Sequence, residues 1–298
     1  MWVHLNGRLV ADSEARVSVF DRSFLYGDGV FESLRAVGGG VFRLDRHLQR
    51  LRRSADGIGL DLPVALSGLA AAVGDLLEAN RLRDARIRVT VTRGAGRPGE
   101  YVEADGPATV VISSSGFGGL DPALHREGVT AAIPSRRQIP PEALDPQIKS
   151  TSRLGSVLAR REARNRGAFE AILLDGLGNL TEGTVSNVFL VEGGRLRTPP
   201  APSGGLPGIT REAVIEIARA ASIEVTEEPL PSRRLFAADE VFLTNTSWEV
   251  LPVVRVEGRP VGGGIPGAVA RDLLERYRDV LRRECATAAA AAGGTARS

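Results

Sequence analysis

Lys149 is the only lysine in this chain of 298 residues, and the other 37 of its 38 Lys and Arg residues are arginine. A guanidinium stays protonated, whereas an amine can lose its proton and form a Schiff base with a carbonyl carbon. A composition that has replaced lysine almost everywhere therefore keeps one residue suited to carbonyl chemistry. A GC-rich genome that left one lysine by chance explains the same composition, so Lys149 alone leaves both interpretations open.

Four other segments carry groups that suit an acidic or phosphate-binding role. Glu182 comes just before a predicted buried strand. Gly208-Ile209-Thr210 precedes a predicted helix, and free N–H groups at the positive end of a helix dipole bind phosphate. Arg50 projects from a predicted helix with a guanidinium fork that suits phosphate, and Asn245 and Thr246 end a predicted strand. Each segment also has an ordinary interpretation. Glu182 could be a surface acid, and Thr210 could be a plain helix N-cap. Arg50 could lie on a solvated helix face, and Asn245 and Thr246 could lie in a plain loop.

These side chains need strands and helices to position them. The start of the chain predicts a hairpin over 2–5 and 8–10 with its turn at Asn6-Gly7. Asp45 is expected to N-cap a helix with one apolar face. Because strands and helices alternate irregularly, we expect two α+β domains and not a doubly wound sheet. Further strands are predicted at 29–37, 41–44, 87–92, 109–113, 129–133, 171–175, 185–191, 240–244 and 253–256, and further helices at 65–80, 153–166, 211–221 and 269–283.

Composition argues against several classes of protein. The N-terminus has neither the basic start nor the apolar segment of a signal peptide, and no apolar run is long enough to span a bilayer. The single cysteine, Cys285, rules out an internal disulfide and suits a reducing cytoplasm. The three histidines, His4, His47 and His125, have no metal-ligand spacing. We therefore expect a cytoplasmic protein with no membrane partner and no metal.

Arginine-rich stretches at 46–53 and 160–166 raise a different class, a nucleic-acid-binding protein. The net charge is only +2, and these arginines alternate with leucine and alanine at helical spacing, which is typical of solvated helix faces. No nucleic-acid partner is therefore expected. A serine/lysine hydrolase is excluded, because the residue three positions before Lys149 is Pro146 and not serine.

Six motifs in a fixed order give the chain a family resemblance that covers residues 6 to about 277. It resembles the class IV (fold type IV) pyridoxal-phosphate enzymes, which include branched-chain aminotransferases, D-amino acid aminotransferases, (R)-amine transaminases and aminodeoxychorismate lyases. Each motif is weak alone, but six in order are specific. They lie at 26–32, 47–51, 148–150, 182–189, 206–211 and 240–244.

The resemblance implies pyridoxal 5′-phosphate as cofactor and assigns roles to the residues above. Lys149 would form a Schiff base with the cofactor aldehyde and, once freed, move a proton between the substrate Cα and the cofactor C4′. Glu182 would pair with the pyridine nitrogen and keep it protonated. The cofactor-binding set would be completed by Arg50, Ile209, Thr210 and Thr246 at the phosphate, together with Asn245.

The resemblance implies substrate contacts less sharply. Arg88 lies where branched-chain enzymes are most similar, and Arg97 lies near an arginine of D-amino acid enzymes and of the lyase. Either could equally be a surface arginine. Phe31, followed by Glu32, resembles the transaminases, whereas Arg153 resembles the lyase. The expected stereochemistry, L or D, therefore stays open.

The implied protein is a two-domain α+β fold type IV enzyme. A small N-terminal α/β domain would cover 1–116, a linker 117–125, a larger β-barrel-like cofactor-binding domain 126–284 and a disordered tail 285–298. The implied activity is transfer of an amino group between a branched-chain L-amino acid, a D-amino acid or an (R)-amine and a 2-oxo acid such as 2-oxoglutarate or pyruvate. The alternative is a lyase that produces 4-aminobenzoate and pyruvate. A homodimer or higher homo-oligomer is expected.

Overall fold

The computed structural model of the protein describes residues 1–97, 99, 101–102 and 104–295, which divide into two compact units. The first unit contains Met1–Gly118, Ile148–Arg153 and the chain from Leu281 onward, and the second contains Gly119–Gln147 and Leu154–Val280. The boundary near residue 118 falls inside the predicted linker, 117–125. The predicted second domain, 126–284, differs from the structure because the segment with Lys149 pairs with a strand of the first unit.

An antiparallel sheet of six strands, in the order β2-β1-β6-β5-β3-β4, forms the first unit. Alternate residues of the central strands and the apolar faces of two helices, α2 and α3, make its core. The elements are β1 (Trp2–Leu5), β2 (Arg8–Ala11), α1 (Arg22–Tyr26), β3 (Gly29–Val37), β4 (Gly40–Val41), α2 (Leu44–Gly57), α3 (Leu66–Ala79), β5 (Ala85–Thr92) and β6 (Thr109–Gly116).

The second unit is built on a mixed sheet in the order β12-β11-β10-β13-β14-β7-β8-β9, with β15 beside β14. Three of its strand pairs are parallel, β11 with β12, β14 with β7 and β7 with β8. The elements are α4 (Pro122–Glu127), β7 (Val129–Ala132), α5 (Leu154–Asn165), β8 (Glu170–Leu174), β9 (Leu180–Gly183), β10 (Asn187–Glu192), β11 (Arg195–Thr198), α6 (Ile209–Ala220), β12 (Val225–Glu227), β13 (Glu240–Asn245), β14 (Glu249–Val256), β15 (Arg259–Pro260) and α7 (Ala268–Thr295), with short 3-10 helices at Ala201–Ser203 and Ser232–Phe236.

Most predicted elements are confirmed, including the hairpin, β3 and the paired strands β5 and β6. The predicted N-cap at Asp45 is wrong. The N-cap is Arg43, whose φ of 46° is left-handed, so Asp45 lies in the first turn of α2 and the predicted strand 41–44 is shortened to β4. The elements that were not predicted are helices α1 and α4, strands β9, β11, β12 and β15, and the two 3-10 helices.

The C-terminal segment also differs from the prediction of a disordered tail from residue 285. Helix α7 extends to Thr295, and residues 296–298 lie outside the described part of the chain. Its alanine-rich composition favours helix continuation. Over the ranges that the structure describes, no helix combines the length and apolar character needed to cross a membrane.

Packing of α7 against β4 makes residue 40 sensitive to size. A Cβ at Gly40 would lie 1.8 Å from the backbone oxygen of Cys285. We expect Gly40→Ala to lower the free energy of unfolding by about 2 kcal/mol, since the helix must move to admit a methyl group. Urea-induced unfolding followed by circular dichroism measures the change.

Gly74→Ala is the matched control. Gly74 lies inside α3, and a Cβ there would meet nothing within 4 Å. This change should raise the free energy of unfolding by about 0.8 kcal/mol, because alanine favours helix over glycine. If the two substitutions had the same effect, the steric argument for Gly40 would be wrong.

Candidate functional site

Backbone hydrogen bonds hold Lys149 beside β3. The N–H of Phe31 donates to the carbonyl of Lys149 at 2.9 Å, and the N–H of Thr151 donates to the carbonyl of Gly29 at 2.8 Å. The N–H of Lys149 donates to Ser54 Oγ of α2 at 3.0 Å. The amine is therefore carried by a backbone that is bonded on both sides, and its position depends on side-chain torsions alone.

The amine of Lys149 lies over an aromatic ring. Its Nζ is 4.8 Å from the centroid of the Phe31 ring, and Cζ of Arg88 is 3.8 Å from the same centroid. Aromatic faces attract cations at such distances. Burial lowers the pKa of Arg88, and the nearby charge of Arg153 lowers it further. The structure thus brings together Lys149 and three of the four predicted substrate residues, Phe31, Arg88 and Arg153.

Arg97, the fourth predicted substrate residue, makes a different contact. Its Nε lies 3.0 Å from Asp105 Oδ2, and its side chain is 81% exposed. An exposed ion pair of this kind contributes little energy. This environment matches the surface-arginine alternative, and it leaves Arg88 as the better candidate for a substrate contact.

Arg50 lies in a buried cluster of charged groups on α2 and β3. Its Nε and Nη2 donate to the two carboxylate oxygens of Glu32 at 2.7 and 2.8 Å, and His47 Nδ1 is 2.8 Å from Glu32 Oε2. Glu32 is 0% exposed and Arg50 3%. The solvated-face alternative for Arg50 is therefore wrong.

Burial and pairing act on the titration of this cluster in opposite directions. Burial alone would raise the pKa of Glu32, but the charge and hydrogen bonds of Arg50, together with those of His47, hold it well below its usual range. Burial lowers the pKa of His47, although its hydrogen bond to Glu32 and the charge of Glu32 act in the opposite direction. The sequence did not predict that Glu32 and His47 belong to a buried cluster with Arg50. The available signal was the helical spacing of His47 and Arg50, which places both on one face of α2.

Glu182 is the third residue of β9 and is buried, with 6% of its surface exposed. Its Oε1 accepts a hydrogen bond from Gln138 Nε2 at 3.0 Å, and its Oε2 accepts one from the N–H of Leu206 at 2.8 Å. Gln138 also donates to the carbonyl of Gly204 at 2.7 Å. The surface-acid alternative is wrong, because this carboxylate is buried and oriented through both oxygens.

The start of α6 presents backbone N–H groups without a side-chain cap. Its N-cap is Gly208, so the threonine N-cap alternative is wrong, and Ile209 and Thr210 lie buried in the first turn. A Cβ at Gly208 would lie 2.0 Å from Asn187 Oδ1, and Asn187 Nδ2 donates to the carbonyl of Leu206 at 2.8 Å. Only glycine fits this close approach, and the helix start has no side-chain cap, so the N–H groups of its first turn are of the kind that bind anions.

The turn between β13 and β14 carries Thr246. Asn245 Oδ1 accepts hydrogen bonds from the N–H groups of Ser247 and Trp248 at 2.8 and 2.7 Å, and its Nδ2 donates to the carbonyl of Val185 at 3.1 Å. The amide of Asn245 is thus engaged in bracing the turn that presents Thr246. Among the described residues, no group of three or more His, Cys, Asp or Glu side chains is placed to hold a metal ion.

The chain is similar to known proteins over most of its length. Residues 29–256 match the family model described as amino-transferase class IV. The chain is 41% identical over 280 residues to a Methanocaldococcus jannaschii protein named "Putative branched-chain-amino-acid aminotransferase", covering 94% of this chain and 96% of that one. It is 34% identical over 288 residues to the D-alanine aminotransferase of Bacillus licheniformis, covering 96% of this chain and 99% of that one.

A solved structure shows the same likeness. The branched-chain amino acid aminotransferase of Escherichia coli superposes with a TM-score of 0.91 at 34% identity. The match covers 95% of this chain and 95% of that chain. The two-domain α+β fold is therefore shared with a fold type IV aminotransferase.

The cluster on α2 generates a prediction about stability. Glu32→Gln would leave Arg50 buried without its counter-charge, and we expect a loss of about 3 kcal/mol in the free energy of unfolding at pH 7. The folded-state pKa of Glu32 lies below its ordinary value of 4.5. Its contribution is therefore complete above pH 4.5 and declines as the pH falls below it, so the gap between wild type and variant should narrow in acid.

Denaturant unfolding at about pH 7 and at about pH 3.5 to 4 measures this gap. The matched control is Glu78→Gln, an exposed acid on α3, which should leave the free energy of unfolding within about 0.5 kcal/mol of wild type. A Glu32→Gln variant as stable as wild type at neutral pH would refute the pairing.

Proposed function

The chain belongs to the class IV aminotransferase family, and we therefore propose that it is a pyridoxal-phosphate-dependent enzyme that moves an amino group between a branched-chain amino acid and a 2-oxo acid. The observation that carries this proposal is the position of the single lysine. Lys149 is held by backbone pairing, with its Nζ over Phe31 and Arg88 against the same ring. The choice of donor is supported by the 41% identity to the M. jannaschii protein, against 34% to the D-alanine enzyme.

The residues of each unit suit such a cofactor. Bound pyridoxal phosphate supplies an aldehyde for an amine and a protonated pyridine ring that withdraws electrons from the substrate Cα. The uncapped start of α6, where Gly208 leaves no room for a Cβ, suits a phosphate. In our proposal Ile209 and Thr210 hold the phosphate through their N–H groups, and Arg50 and Thr246 contribute further donors.

Lys149 does the covalent and proton-transfer work. Its Nζ would hold the cofactor covalently at the aldehyde carbon, with the aldehyde oxygen leaving as water, and the amine of the donor would displace it. The freed Nζ would then be the base that carries the proton away from the donor Cα. Because the backbone on both sides of Lys149 is hydrogen-bonded, little orientational freedom remains to be lost at each transfer.

Glu182 would keep the pyridine nitrogen protonated. A carboxylate beside that nitrogen favours its charged form, since opposite charges at short range stabilise each other. Gln138 and the N–H of Leu206 orient both oxygens, so the acid cannot turn away to solvent. A neutral side chain at this position would weaken electron withdrawal by the ring.

Arg88 is our candidate for a substrate carboxylate, and Phe31 for the wall against an apolar side chain. Arg88 Cζ is 3.8 Å from the Phe31 ring, so one site would offer a fork for a carboxylate next to an aromatic surface. That combination suits an amino acid with a branched aliphatic side chain.

The single cysteine, Cys285, is buried and suits the reducing cytoplasm in which we place the enzyme.

A substrate panel on the purified protein tests the proposal. It offers L-leucine, L-valine, D-alanine, an (R)-amine and aminodeoxychorismate, with 2-oxoglutarate as acceptor where one is needed. We expect transfer from the L-branched-chain donors. Preference for D-alanine or the (R)-amine would overturn the choice of donor, and pyruvate from aminodeoxychorismate without an acceptor would indicate a lyase.

Lys149→Arg and Lys149→Ala separate chemistry from charge. Arginine keeps the positive charge over Phe31 but is not expected to form a Schiff base. The activity of both variants should fall by about 10³-fold or more. Both should also lack the absorbance band of the lysine–cofactor Schiff base, which borohydride reduction removes from the wild type. Activity that survives in either variant would contradict the proposed role.

We also propose that the protein is a homodimer. Exposed apolar side chains cluster by sequence around α1 and in the segment after β5, and the rings of Tyr26 and Tyr101 lie 5.1 Å apart. Soluble monomers rarely expose large apolar patches, so we expect a second copy of the chain to bury these side chains. The exposed side chains in these segments are Val17, Val19, Phe20, Phe24, Leu25, Tyr26, Tyr101 and Val102.

Phe24→Asp tests the dimer, because this side chain is 75% exposed and a charge there would be buried on association. Sedimentation velocity should show wild type as a dimer and the variant shifted to monomer. Leu177→Asp, at a residue 90% exposed in the second unit, should leave the sedimentation coefficient unchanged. A monomeric wild type would refute the homodimer.

A further inference from the structure

Glu170 is a fully buried acid to which the proposed reaction assigns no role. It is the first residue of β8 and is 0% exposed. Burial raises the pKa of Glu170, although the charge of Arg160 and the hydrogen bonds that Glu170 accepts act in the opposite direction. Arg160 Nη1 lies 3.8 Å from Glu170 Oε2, which is too long for a hydrogen bond. An acid in so unfavourable a place requires an explanation.

Two of the three hydrogen bonds that Glu170 accepts come from Thr184, in the connection between β9 and β10. Its Oε1 accepts from the Thr184 hydroxyl at 2.5 Å, and the Thr184 N–H is also bonded to the carboxylate. The N–H of Ala171 donates to the same Oε1 at 2.8 Å. Glu170 is therefore hydrogen-bonded to both the backbone N–H and the side-chain hydroxyl of Thr184.

Thr184 lies in the tight turn that follows Glu182. The N–H of Gly183 donates to the carbonyl of Ser186 at 2.6 Å and closes the turn. A Cβ at Gly183 would lie 2.2 Å from Ser186 Oγ and 3.4 Å from Cγ of Glu170, so the turn and the buried acid are packed together. A shift of Thr184 would be transmitted to Glu182, which is only two residues away.

We propose that Glu170 is a positioning residue for Glu182, acting through Thr184 and the turn that joins β9 to β10. The inference rests on the proposed function, in which Glu182 faces the pyridine nitrogen. Gln138 and the N–H of Leu206 orient the carboxylate oxygens of Glu182 from one side. In this proposal Glu170 fixes the backbone of the turn that follows Glu182. Glu182 is therefore held both at its carboxylate and at its backbone.

Glu170→Gln is the direct test, because it keeps the shape of the side chain but weakens its acceptor groups. We expect kcat to fall about 10-fold with little change in KM, as is typical when the support of a site residue is removed. The pH at which the absorbance of the bound cofactor changes should shift in the same direction as in Glu182→Gln. A purely structural role would not move that pH.

A double-mutant cycle decides whether the effect passes through Glu182. If it does, Glu170→Gln/Glu182→Gln should match Glu182→Gln alone in both kcat and the absorbance titration. Additive effects would overturn the proposal. If Glu182→Gln itself behaves as wild type, the proposed role of Glu182 fails, whereas a normal Glu170→Gln beside a defective Glu182→Gln refutes the positioning role alone.

Three further variants distinguish a positioning role from a folding defect. Thr184→Val removes the hydroxyl bonded to Glu170 and should reproduce the loss of kcat, whereas Thr184→Ser keeps it and should approach wild type. Glu240→Gln is the matched control, because Glu240 also accepts hydrogen bonds from two backbone N–H groups, those of Val269 and Ala270 in the first turn of α7. It should lower stability without shifting the absorbance titration. A shift in Glu240→Gln equal to that in Glu170→Gln would refute a specific role.

Discussion

The antiparallel pairing between β3 and the segment around Lys149 is the constraint on which the position of Lys149 depends. The hydrogen bonds of Phe31 and Gly29 to this segment hold residues 148–153 in the first unit although the chain leaves it after Gly118. Ser54 of α2 then binds the N–H of Lys149, so strand and helix both fix the same backbone. In the proposed function the amine of Lys149 must return to one place at each turnover, and paired backbone on both sides would provide that.

Buried carboxylates recur in both units, and each is given partners. Glu32 is bonded by Arg50 and His47, Glu182 by Gln138 and Leu206, and Glu170 by Thr184 and Ala171. Burying a charge without partners costs several kcal/mol, so such groups are retained where their geometry matters. In Glu32 the pairing is strong enough to hold the pKa well below its usual range. Rigid orientation of polar groups is the common result.

Local patterns predicted the secondary structure well where the signal itself is local. The Asn6-Gly7 turn and the alternation in β3 were sufficient for the hairpin and the central strand. The start of α2 was misplaced because Asp45 is a good N-cap by type, whereas the left-handed backbone at Arg43 starts the helix earlier. Arg50 could equally have been a solvated arginine by sequence, since nothing beside it shows that Glu32 lies opposite.

The sequence by itself determined the order of the motifs, the singularity of Lys149 and the alternation of elements, because residue chemistry and hydrophobic period are properties of neighbouring residues. Only the tertiary structure decided which charges are buried and which groups they meet. Lys149 and Ser54 are 95 residues apart, and Glu170 meets Thr184 only after the chain has turned through β9. Such pairings depend on the path of the whole chain, which no local pattern records.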